Sequence, residues 1–162
     1  MKAMAILGLM LLAAPAAAQT GPSLDLPLSI DLARAAVAAC AAKGAPVSVA
    51  VVDDKGNPLV VLRDPASPKP PIAAPRKAAT AVQFDAPGSV MEPRQKTDPD
   101  FAARIAAEPD RLNPHAGSLP LHRAGGPGDG KLVGGLAVAD TTHEMADACA
   151  RAALAQFSAQ LR

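Results

Sequence analysis

The chain has 162 residues, 49% of them hydrophobic, with 16 basic against 15 acidic side chains and a formal net charge of +1 at pH 7. That balance excludes the basic excess of a nucleic-acid binder, and with no Trp, no Tyr and three Phe the chain has no platform on which single-stranded bases could stack. The length suits one domain with a real core, which alanine and valine must fill.

At the N-terminus, Lys2 precedes an apolar run from Ala3 to Ala14, then Pro15 and Ala16-Ala17-Ala18 before Gln19. Charge, apolar core and small residues in that order predict a secretory signal over residues 1–18, cleaved after Ala18. The run is about a dozen residues, short of the roughly 20 that span a bilayer as a helix. The expectation is therefore a protein with no transmembrane anchor after cleavage, periplasmic or secreted. Residues 19–162 then form a single domain, with 19–28 as a leader.

Ser29 is a plausible N-cap, Asp31 suits the positive helix start, and Lys43-Gly44 suits the end of a first helix. Ile30, Ala33, Val37, Cys40 and Ala41 give it an apolar face of mostly small residues. Val47 to Asp53 and Pro58 to Arg63 read as two antiparallel strands joined by Asp54-Lys55-Gly56-Asn57. Asp64 to Pro75 holds five prolines and reads as an extended loop. Ala73 to Phe84 is a second helix, with Arg76 and Lys77 near its start, where the helix dipole disfavours positive charge.

Six prolines break Asp85 to Pro120, leaving one short helix, Asp98 to Ala107, with Asp98 as cap and Pro99 at the first position. Gly117 to Leu121 and Lys131 to Ala139 are strands flanking a glycine-rich turn. Thr141 with Glu144 forms a capping box that opens a last helix reaching about Gln160. Met145, Cys149, Ala152, Ala153, Gln156 and Phe157 trace its inner side. An α+β class follows.

Cys40 and Cys149 each fall in a helix, one near each end of the domain. In an oxidising compartment they would form a disulfide if those helices lie side by side. Otherwise they are two small buried thiols.

The segments VSVAVVDDKGNPLVVLR, APRKAATAVQF, GSLPL and KLVGGLAVADTTHEMADACARAAL, in that order, resemble the GlcG/HbpS family of haem-binding and haem-degrading proteins, also found as the C-terminal domain of PduO-type proteins. The resemblance covers most of residues 28–157. It implies a profilin-like α/β/α arrangement, with a five-stranded antiparallel sheet carrying helices on both faces, and a homo-oligomer. Three stretches depart from the family pattern: Arg63-Asp64-Pro65-Ala66, Gly117-Ser118 and Ala137-Val138-Ala139-Asp140.

The cofactor implied by the resemblance is haem, which needs an apolar slot, an axial donor and cations for its propionates. Arg63, ending the second strand, and Lys77, after the proline-rich loop, are the candidate propionate partners; each could instead be a surface charge or pair with Asp64 or Asp85. With no tyrosine available, the iron donors to choose from are His115, His122, His143, Met91 and Met145. His122 is favoured as the metal ligand because it follows the family-like GSLPL segment, against the alternative of an exposed loop histidine.

Zinc would need several ligands at short spacing, and His115 with His122, seven apart, falls short. No Ser or Cys sits in a nucleophile elbow, and Asp53-Asp54 read as turn residues. No residue is assigned a catalytic role, and haem degradation is an activity only the resemblance suggests. The expected function is an exported haem-binding protein serving haem storage, transfer or breakdown. The alternative is a haem-independent sensory or scaffold module of the same fold, binding a small acid or a membrane sensor partner.

Overall fold

The computed structural model describes residues 24–126 and 129–162. Residues 1–18, read from sequence as a signal, lie outside the described residues. Helix α1 (Leu26–Ala41) starts earlier than expected, because Asp25 rather than Ser29 is the N-cap. The Asp25 carboxylate accepts from Leu28 N–H at 2.8 Å, and Pro27 sits in the first turn, where a missing N–H costs nothing. Ser29 is buried and its hydroxyl donates back to the Asp25 carbonyl. The buried stripe is Ser29, Leu32, Ala33, Ala36 and Cys40, so Ile30 and Val37 lie at its margin.

Strands β1 (Ser48–Asp53) and β2 (Pro58–Arg63) form the expected hairpin. Its turn is held by the Asp53 carboxylate, which accepts from Lys55 and Asn57 backbone N–H groups. Helix α2 (Ala73–Phe84) follows the proline-rich loop, then α3 (Gly88–Thr97) and α4 (Pro99–Ala107), the last capped by Asp98. Strands β3 (Ser118–His122) and β4 (Leu132–Ala139) pair next, and α5 (His143–Ala155) completes the order. Thr142, one residue later than expected, caps α5, and the helix stops at Ala155 rather than near Gln160.

The sheet is antiparallel, in the order β2-β1-β4-β3. The expected five strands are four among the described residues: beside β3, Leu161 makes only an isolated bridge to Arg123, extended by hydrogen bonds between His122 and Arg162. Side-chain alternation divides the strands between two faces. Val49, Val51, Leu136 and Val138 pack with α1 and α5, whereas Ala50, Val52, Ala137 and Ala139 face α2. Helices therefore cover both faces, as expected.

Cys40 and Cys149 form a disulfide, with Cα atoms 5.4 Å apart, which ties α1 to α5 across 109 residues of sequence. Helix α3 is absent from the sequence expectation because Pro93 lies inside it. A proline there forfeits one helical bond. Burial offsets that cost: Met91 packs with Ala81, Phe101, Ile105 and Leu112 in a second core under α4.

Candidate functional site

The site lies at the sheet end where β4 stops and β3 begins. There the chain turns through Asp140, a non-glycine residue at φ 73°. Its carboxylate accepts from the hydroxyls of Ser48 and Ser67, pinning the proline-rich loop to β1. Arg63 completes that clamp by donating to the carbonyls of Ser67 and Lys69. Pro68 and Lys69, held between those contacts, form one wall of a cleft of about 500 Å³ whose other lining includes Ala73, Lys77, His115 and His143.

Lys77 is 4% exposed, and its ammonium donates to the Val138 carbonyl at 2.9 Å. A lysine has three N–H donors, so two remain for other partners. Burial depresses its pKa to about 8, against the opposing pull of Glu92, Asp140 and Asp147. Gly117 makes room for that ammonium. At φ 100°, a Cβ there would stand 2.4 Å from Ala146 Cβ and 3.1 Å from Lys77 Nζ. The other early cation of α2, Arg76, pairs with Asp110 at 3.1 Å.

Beside Lys77, three elements bring together residues far apart in sequence. Glu92 projects from α3, His115 from the loop before β3, and His143 from the first turn of α5. One Glu92 oxygen lies 2.7 Å from His143 Nδ1 and 3.5 Å from His115 Nδ1, while the other accepts from Ala116 N–H at 2.9 Å. The two imidazoles stack with centroids 4.7 Å apart. Burial alone would raise the Glu92 pKa, but the Ala116 bond and the two histidines hold it below the usual carboxylate value. Burial depresses His115, only partly countered by Glu92, with His143 and Lys77 adding to the depression. The far side of this trio opens on a second hollow of about 650 Å³, lined by Ser89, Glu92, His143, Asp147 and Arg151 among others.

Of the residues singled out from sequence, Lys77 lines the cleft and Arg63 shapes its wall through the loop. His122 is elsewhere. It ends β3 at the opposite end from Ser118, with Nε2 2.9 Å from an Asp85 carboxylate oxygen at the C-cap of α2. Met91 is enclosed in the second core and Met145 packs on the first. Nothing in the sequence marks Glu92 or joins it to His115 and His143, because spacings of 23 and 28 residues carry no motif.

A family model described as haem-degrading protein, HbpS-like, matches residues 24–155. No curated protein sequence matches. Among solved structures, a double mutant of HbpS from Streptomyces reticuli is 35% identical over 90% of this chain and 97% of that one, with a TM-score of 0.68. A haem complex of PduOC is 26% identical over 82% and 94%, TM-score 0.71. The ORFY protein of Klebsiella pneumoniae, a DUF336 structure, is 20% identical over 91% and 99% with TM-score 0.71, a likeness of fold alone. The chain belongs to the HbpS-like family.

Proposed function

We propose that the chain is an exported haem-binding protein and that haem occupies the cleft floored by Lys77. The observation that carries this reading is a buried ammonium with two uncommitted donors beside a pair of imidazoles, in a fold whose PduOC relative was crystallised with haem. The volume lies within the range of ligand pockets. Pro68, Ala73 and Ala139 supply apolar wall, and Lys77 with Lys69 supplies cations for two propionates.

His143 donates from Nδ1 to the Glu92 carboxylate at 2.7 Å, which fixes its tautomer and leaves Nε2 as an iron donor, while His115 turns Nδ1 the same way at 3.5 Å. Haem, when bound, supplies a redox-active iron. The chain's own part is to hold that group, orient an imidazole and neutralise carboxylates. The disulfide favours an oxidising compartment, as does the N-terminal segment read as a signal. No helix among the described residues is long and apolar enough to cross a membrane.

Haemin titration of the purified domain tests the reading. With no Trp or Tyr, the protein absorbs little in the near ultraviolet, so a shifted Soret band stands out. We expect saturable binding, with a changed Soret position in His143→Ala or His115→Ala. A free-haemin spectrum that never shifts would falsify the haem reading.

The second reading is a haem-independent module for a small carboxylic acid. Lys77 favours it, since a buried cation recognises an anion whatever else the ligand carries. A thermal shift with small dicarboxylates and none with haemin would select it.

A further inference from the structure

We infer that Glu92, His115 and His143 form a binding site for a divalent transition-metal ion of the zinc type, separate from any haem iron. Two imidazoles and one carboxylate are a donor set that such borderline ions take, with further positions left for water or an anion. The three ligand atoms all lie within 4.8 Å of one another. An ion with bonds of 2.0–2.1 Å in tetrahedral geometry holds its ligands about 3.3 Å apart. The distances of 2.7 and 3.5 Å from Glu92 to the two Nδ1 atoms bracket that value.

A second observation points to a ligand. His115 Nδ1 itself is buried, although its ring is 44% exposed, and it finds no hydrogen-bond partner, its nearest acceptor being the Glu92 carboxylate at 3.5 Å. A buried polar atom left so is costly. A cation between it and the carboxylate would satisfy it. The donors are also held in place from outside. Ala116 N–H orients the Glu92 carboxylate, Asn113 Oδ1 accepts from His115 N–H at 3.1 Å, and Gly88 lets α3 press against the His115 carbonyl, where a Cβ would come within 2.2 Å. Such outer contacts fix ligand geometry before the ion arrives.

Charge nearby acts in both directions. Lys77 and Arg151, the latter paired with Asp147 at 2.7 Å, oppose a cation, whereas Glu144 and the other Asp147 carboxylate oxygen, buried and lacking a partner, line the adjoining hollow and favour one. That hollow gives the ion an open path.

The test uses the whole domain, disulfide intact, stripped of metal and free of haem, so its result is independent of the haemin titration. Zn²⁺ binding is followed by calorimetry, and Co²⁺ binding by the visible bands of a low-coordinate ion. We expect one Zn²⁺ per chain, Co²⁺ bands displaced by Zn²⁺, and affinity reduced at least tenfold in Glu92→Gln, His115→Ala and His143→Ala. His122→Ala should bind as wild type. Glu92→Gln keeps size and the bond from Ala116, and circular dichroism verifies its fold. Absence of Zn²⁺ binding by the wild type, wild-type affinity in folded Glu92→Gln, or loss of the ion in His122→Ala overturns the site.

Discussion

Lys77 carries a cost that pH can reveal. Its ammonium titrates near pH 8 in the folded chain, against 10.5 when solvated. Between those values the unfolded chain holds the proton more tightly, so the stability of the fold rises with pH through that window. Below pH 8 both states are protonated and the full penalty remains, roughly 3 kcal/mol from the size of the shift. Urea unfolding from pH 7.5 to 10.5 should show wild type gaining stability relative to Lys77→Met; parallel curves would mean that the ammonium is not buried as described. Gly117 is the neighbouring constraint. Gly117→Ala must find room against Ala146 at a positive φ, and a loss of about 2 to 4 kcal/mol is expected. A variant as stable as wild type would show that the floor of the cleft is loose.

At the scale of elements, α2 is legible from residue pattern alone, without a side-chain cap, and α4 from the Asp98-Pro99 signal, because periodicity in the one and capping in the other agree with the tertiary structure. Helix α3 is not. Pro93 and a polar composition speak against a helix, and only the burial of Met91 against residues distant in sequence decides it. The site shared that fate. Glu92 belongs to the unread helix, and the meeting of His115 with His143 requires the pairing of β3 with β4. Once Ser118 pairs with Ala137, both histidines lie beyond the same end of that ladder, whereas His122, opposite Leu132, lies at the other. The sequence signal for His122 is the segment it follows, and strand direction carries that residue away from the cleft. The α1–α5 disulfide is an element-scale staple whose loop of about a hundred residues stabilises by roughly 4 to 5 kcal/mol on the chain-entropy model. Cys40→Ser with Cys149→Ser should lower unfolding free energy by about that amount while leaving haemin affinity in place, since neither cysteine lines the cleft.

For the whole molecule, the sheet separates two tasks. One face, with α1, α5 and the disulfide, holds the larger core. The other carries α2, while α3 and α4 close over the second core. The cleft forms at the sheet end where both faces contribute, so α2 brings Lys77, α5 brings His143, and the loop clamped by Arg63 and Asp140 brings a wall. The most direct test compares haemin affinity in wild type, Lys77→Gln and His122→Ala under one set of conditions. Losing a charge-assisted contact of about 1.5 to 3 kcal/mol predicts binding weakened about 10- to 150-fold in Lys77→Gln, with His122→Ala unchanged. Unaltered affinity in Lys77→Gln, or loss of binding in His122→Ala, would contradict the placement of haem in this cleft.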